Sequence, residues 1–265
     1  MPEISRQQKQ YLARQKKEKH IILAARTLLF VLFMGLWEIS SDLGWIDSFI
    51  FSSPSKITLC FLEMLKNRSL FLHIGITLYE TFISFILVIL LSILAAILLW
   101  YSKKLSEILE PYLVVLNSLP KSALAPLLIV WLGATSKTII IAGMSVAIFG
   151  SILNLYTAFI NVDQEKIKLI YTLHGNRRHA LTKVVLPSSV PAIISNMKVN
   201  IGLCLVGVII GEFLAAKSGL GYLIIYSSQV FKMDWLLMSI ILLCIMAMGL
   251  YALINVVEKR VLKKY

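Results

Sequence analysis

The sequence predicts an all-α fold, a polytopic membrane protein with six transmembrane helices. Composition is the first reason, since 58% of the 265 residues are hydrophobic and only 15% are charged. Soluble domains carry about 45–50% apolar and about 25% charged residues. Clustering is the second, because the apolar residues fall in runs of about 20, the length that crosses a hydrocarbon layer of about 30 Å. The third is the placement of Trp37, Trp45, Trp100, Trp131 and Trp235 near the ends of those runs, as in an interfacial aromatic belt.

Residues 1–20 form a basic tail, too long and polar for the n-region of a signal peptide. The first span covers roughly Ile21–Ile39. Its end holds Glu38, Ser40, Ser41 and Asp42 with no small-residue cleavage site, so it is read as uncleaved. Ser53–Arg68 opens on a Ser-Pro helix start with apolar residues at helical spacing, which predicts a helix lying along the outer surface. The second span is roughly Ile74–Tyr101. The third is roughly Pro111–Leu132, interrupted by Pro120 and Pro126, and the fourth roughly Ile139–Ile160. After a long polar loop, Pro187 and Pro191 are expected to end the loop and start the fifth span, roughly Val190–Gly211. Ala215–Lys232 is glycine-punctuated and too broken to cross, an outer re-entrant or interfacial piece. The sixth span is roughly Trp235–Val257. The membrane domain thus runs over residues 21–260, with a cytoplasmic C-terminus at 261–265.

Orientation follows from the basic residues. With the N-terminus inside, 17 Lys and Arg fall on cytoplasmic segments and 6 on outer ones, which puts both termini in the cytoplasm. The net charge of +12 is therefore a topology signal and not a nucleic-acid footprint. Cys60, Cys204 and Cys244 share no short spacing, which excludes a zinc site or disulfide framework and leaves them as small packing residues.

The loop Asp163–Pro187 is 25 residues long, far more than a helix connection needs. Ile167, Ile170 and Leu173 share one face of a short helix. Gly175 suits that helix's C-terminus and Asn176 the N-cap of the next, whose apolar positions are Leu181, Val184 and Val185. Arg177, Arg178 and Lys183 add a basic flank. Such a helix–turn–helix is a docking element for a cytoplasmic partner or an amphipathic piece lying on anionic lipid.

The loop resembles the signature loop of binding-protein-dependent ABC importer permeases: Glu-Ala-Ala, three residues, Gly, then an ending hydrophobic-x-Leu-Pro. Thr172-Leu173-His174-Gly175-Asn176-Arg177 and Lys183-Val184-Val185-Leu186-Pro187 lie on that pattern. The triplet reads Lys168-Leu169-Ile170 here, and His174 holds the glycine position, with Gly175 one place later. Asn117–Gly133 and Gly207–Tyr222 are similar to segments of the nitrate/sulfonate/taurine-type branch. The resemblance spans about residues 30 to 260 and implies a type I importer permease. It implies that Ile170, Thr172, Leu173, His174, Gly175, Asn176, Arg177, Leu186 and Pro187 couple the chain to a separate ATPase subunit. The chain has no Gly-x-x-x-x-Gly-Lys-Ser/Thr phosphate loop. ATP and Mg are accordingly expected on that partner, with no cofactor on this chain. The other implied partners are an extracytoplasmic solute-binding protein, a second permease copy and the lipid of the cell membrane, with no nucleic acid.

Within the spans, Asn196, Asn200 and Gly207 share a stripe with Gly211. The stripe lines a translocation path or forms a small-residue helix interface. Lys198 points away from it and is expected to snorkel. Lys121, one turn from Asn117, is the sharper case. It attracts an anionic substrate or pairs structurally with Glu80 or Glu212. The resemblance implies a small anion as solute, of the sulfonate, taurine or nitrate type, with a thiamine-precursor pyrimidine as the alternative. The rival classes are a secondary transporter or channel that runs without ATP, and a membrane scaffold.

Overall fold

The computed structural model describes residues 6–262, so residues 1–5 of the basic tail and 263–265 of the C-terminal segment lie outside the described residues. The described residues form helices and connecting turns. They are α1 (Arg6–Asp42), α2 (Ser48–Phe51), α3 (Pro54–Lys66), α4 (Ser69–Tyr101), α5 (Lys103–Ser118) and α6 (Lys121–Leu132). Then come α7 (Ser136–Ile160), α8 (Gln164–Thr172), α9 (Arg177–Ala180), a π-helical turn (Leu181–Val185), α10 (Leu186–Ala215), α11 (Leu220–Gln229) and α12 (Met233–Leu262). Among the described residues, five helices are long and apolar enough to cross a membrane, and the bent pair α5–α6 passes the same test when taken together, as a broken span or a re-entrant loop.

The interior is built on α4, α7 and α10. Phe85 and Val88 of α4, Ala147 of α7 and Ile201, Cys204 and Leu205 of α10 form the central apolar cluster with Leu250 and Ile254 of α12. α7 and α10 approach closest where side chains are smallest. A Cβ on Gly207 would come within 2.8 Å of the Gly143 Cα, and one on Gly211 within 3.1 Å of the Ile139 Cα. Lipid supplies no hydrophobic drive between helices, so such backbone approach is what holds them.

Two sequence expectations change. The third span is not one rod: α5 and α6 meet at 96° across Leu119 and Pro120. Pro120 has no N–H to donate, and its ring disfavours helix in Leu119, which is extended at ψ 140. Pro187 and Pro191 do not end the loop, because a helical path runs unbroken from Arg177 to Ala215. The π-helical turn just before Pro187 absorbs the lost i→i−4 bond, with Leu186 N–H donating to Leu181 O. The helix expected in Ser53–Arg68 forms as α3, capped by Ser53; Ile57, Cys60 and Met64 pack its inner face on Leu70, Leu223 and Met238, and Leu59 and Leu62 stay exposed on the other.

α1 stands clear of this interior. Its apolar side chains from Ile21 to Ile39 are largely exposed, and it meets the rest of the chain mainly through α2 and α3. Glu38 accepts a hydrogen bond from Ser55 N at 3.0 Å, which pins its end to the start of α3.

Candidate functional site

The loop end of the bundle is anchored from below. Ile167 of α8, Ala180 of α9 and Leu181 and Val185 of the π-turn are buried with Ala96, Leu155, Phe159 and Val162. Ile170 packs on the edge of this cluster. Leu173 does the opposite, with 70% of its surface exposed beside exposed Leu169 and Tyr171. The expected single apolar face is therefore divided: Ile167 and Ile170 hold the loop to the bundle, and Leu173 projects from it.

The turn between α8 and α9 is a Schellman cap. His174 N–H donates to Tyr171 O at 3.0 Å and Gly175 N–H to Ile170 O at 2.8 Å. The left-handed residue is His174, at φ 59, and not Gly175. Gly175 is required for space instead, since a Cβ there would lie 2.5 Å from Ile170 Cγ2 and 2.7 Å from Ile170 O. Asn176 caps α9 as expected. Its Oδ1 accepts from His179 N at 3.0 Å, and its own N–H donates to His179 Nδ1 at 3.3 Å. Arg177, itself exposed, reaches across to the end of α4, donating from Nη2 to Trp100 O at 2.8 Å and lying over the Trp100 and Tyr101 rings. Thr172 Oγ1 donates back to Lys168 O at 3.1 Å. Leu186 and Pro187 are half-buried where the loop passes into α10.

The span residues are placed differently. Asn196 and Asn200 are buried, and both donate from Nδ2 to Ser151 Oγ, at 2.7 and 2.9 Å; Ser151 Oγ donates on to Ser92 Oγ at 2.8 Å. With Gly207 against Gly143, the stripe packs on α7 as a helix interface. Lys198 does not snorkel, because its ammonium pairs with Glu258 and reaches Asn255 Oδ1 at 3.3 Å. Lys121 pairs with neither Glu80 nor Glu212. Its Nζ donates to the carbonyls of Leu116 and of Asn117, the latter at 3.1 Å, and lies 5.4 Å from the centre of the Phe149 ring. A cation on the last carbonyls of α5 satisfies orphan acceptors and complements the helix dipole at the bend. Asn117 remains exposed at that bend.

The opposite end of the bundle carries a polar network that the sequence reading left largely unmarked. Glu212 is fully buried. Its Oε1 accepts from Thr77 Oγ1 at 2.7 Å and its Oε2 from Gly221 N at 2.6 Å, at the otherwise uncapped start of α11. Thr77 Oγ1 accepts from Leu220 N at 2.8 Å, and His73 Nδ1 accepts from Gly219 N at 3.0 Å. A signal was available: Thr77, Glu80, Thr81, Ser84 and Ser92 recur at helical spacing along α4, one polar face inside an apolar span, and all five are buried.

Comparison with known proteins agrees with this architecture. Residues 88–264 match the family described as binding-protein-dependent transport system inner membrane component. The putative aliphatic sulfonates transport permease protein SsuC of Bacillus subtilis is 26% identical over 238 residues, covering 89% of this chain and 86% of that protein. The formylaminopyrimidine transport permease protein ThiX of Halalkalibacterium halodurans is 27% identical over 196 residues, 74% of this chain and 78% of that one. Among solved structures, the inward-facing MetNI methionine ABC transporter superposes with a TM-score of 0.60 at 19% identity, over 72% of this chain and 93% of that one. A bundle of five or six crossings, with a long anchored loop and the family match over most of its length, identifies the chain as a binding-protein-dependent ABC importer permease, a membrane subunit whose ATPase is a separate protein.

Proposed function

We propose that this permease is driven through Asp163–Pro187, which docks on its ATPase subunit and hands the motion of ATP hydrolysis to α10. The observation that carries this reading is Leu173: a large apolar side chain, 70% exposed, on a turn fixed by two backbone hydrogen bonds and a buried anchor. An exposed apolar residue on a rigid mount is what a groove on a partner needs. Ile170, Thr172, His174, Gly175, Asn176, Arg177, Leu186 and Pro187 set the shape and footing of that mount. ATP and Mg belong to the partner, both termini face the cytoplasm, and the chain works in the inner membrane with a solute-binding protein and a second copy of itself.

For the solute, the reading is a small organic anion of the sulfonate class, supported by the aliphatic sulfonates permease relatives of Bacillus subtilis and Escherichia coli. The formylaminopyrimidine relative supports a pyrimidine as the second reading. Neither Lys121 nor the Asn196–Asn200 stripe recommends one over the other, since each is committed to holding helices.

Leu173→Asp tests the coupling. The variant should insert and fold like the parent, lose its co-purifying ATPase, and lose ATP-dependent uptake of an alkanesulfonate in proteoliposomes. Uptake that continues without ATP hydrolysis would instead establish a transporter or channel running on a gradient.

A further inference from the structure

At the loop end of the bundle, a cavity of about 500 Å³ lies between the end of α4, the start of α5, the end of α7 and the loop. Two cations stand in its wall, Lys103 at the start of α5 and Arg177 at the start of α9, and no acidic residue lines it. Neither cation is spent. Among the described residues, the Lys103 ammonium has only an exposed pair with Glu107 at 3.7 Å, a kind of contact worth little in water. Arg177 gives one N–H to Trp100 O and keeps its other donors. The phenols of Tyr156 and Tyr171, in the same wall, have no hydrogen-bond partner among the described residues.

The other polar groups of the wall close on the chain itself. Gln164 Nε2 donates to Ile160 O and Val162 O, each at 3.1 Å, and Ser106 Oγ donates to Lys103 O at 2.8 Å. What is left uncommitted can all donate. Lys103 and Ser106 also belong to the first turn of α5, so the positive end of that helix dipole borders the cavity. We infer that this cavity is a binding site for a phosphate group, brought by the headgroup of an anionic phospholipid or free in solution. Arg and Lys with hydroxyl donors are the set that recognises a phosphate oxyanion. Trp100 and Tyr101 at the end of α4 mark an interfacial level, where basic pockets between spans meet lipid headgroups. A phosphate held there would tie α5 of the bent pair to Arg177 of the loop. The lipid source rests on the reading of this end as the cytoplasmic membrane surface; the site itself does not depend on which solute is carried.

The test uses the full chain in detergent micelles and reads the thermal unfolding midpoint. Added dioleoylphosphatidylglycerol should raise it in a concentration-dependent way. Dioleoylphosphatidylcholine, whose phosphate is neutralised by its own choline, should not. Potassium phosphate against potassium chloride at equal ionic strength is the second arm. A shift there assigns the site to free phosphate, and a shift with the lipid alone assigns it to the headgroup. Lys103→Gln, at an exposed position, should raise the ligand concentration needed by about tenfold, as loss of a charged hydrogen bond does. Lys104→Gln removes the same charge from the neighbouring exposed residue, off the cavity wall, and should leave the response unchanged. No response in either arm, an equal response to both lipids, or a response that Lys103→Gln spares or that both variants reduce alike overturns the proposal. No ATPase takes part, so its failure leaves the Leu173 coupling standing.

Discussion

Gly219 and Glu212 stand so close that no side chain fits between them: a Cβ on Gly219 would overlap the Glu212 carboxylate. Gly219 also sits at φ 122, a conformation that L side chains rarely adopt. Gly219→Ala should therefore cost about 2–3 kcal/mol, combining strain with displacement of a buried carboxylate. Unfolding in mixed detergent should read the loss. Protection of the Gly221 amide against hydrogen exchange should fall with it, because that amide donates to Glu212.

The His174 prediction runs the other way. A non-glycine residue in the left-handed region costs about 1 kcal/mol, and His174 occupies it at φ 59. His174→Gly should slow exchange of the His174 and Gly175 amides, and His174→Val should speed it. A Gly175→Ala variant should loosen the turn despite ordinary backbone angles, because its methyl would meet Ile170.

Gly207→Val should separate α7 from α10. The added side chain would have to displace the Gly143 Cα and Ala142 O, backbone atoms that cannot swing aside. A loss of about 3 kcal/mol is expected. The Ser151-centred bonds to Asn196 and Asn200 lie further along the same contact and should weaken with it, visible as faster amide exchange in α7.

Lys121→Met should destabilise the bend by about 1 kcal/mol, as removal of a cation from a helix C-terminus does, and Lys121→Arg should restore most of it. An anion-binding role predicts a rise in the KM for uptake with stability unchanged. Measuring both quantities on the same variant separates the two roles.

The Cys60 thiol is pushed up to about 11, by burial first and then by the nearby Asp234 and Glu63 carboxylates. Since the folded protein holds this proton above the ordinary thiol value of 9.0, stability conferred by Cys60 is lost as pH rises through that window. At neutral pH, maleimide labelling of Cys60 should be negligible in the folded chain and prompt after unfolding.

The spans, the helix α3 and the helix–turn–helix of the Asp163–Pro187 loop were legible because each is written in local periodicity: Ile167 and Ile170 three apart, Asn176 before its helix, Ser53 before Pro54. What the sequence could not convey were partnerships between distant elements. Lys121 looked like a charge in need of a carboxylate, yet the carbonyls of Leu116 and Asn117, a few residues away, satisfy it through the bend at Pro120. The Asn196–Gly211 stripe was compatible with a pore, a seam or both, and the approach of Gly143 that makes it a seam lies in a distant part of the sequence. Gly175 drew attention as the glycine of the turn, while the left-handed residue is its neighbour, because sequence composition does not reveal which residue a Schellman cap places at each position.

The π-turn before Pro187 gives the chain a single beam from Arg177 to Ala215, 39 residues and about 58 Å at 1.5 Å per residue. Its two tips carry the molecule's two unlike features, the turn that bears Leu173 and the carboxylate that pins α11. Asn196 and Asn200 bond it to Ser151, and Gly207 and Gly211 bring it against Gly143 and Ile139, so α7 is fastened to this beam over several turns and a displacement of one would carry the other with it.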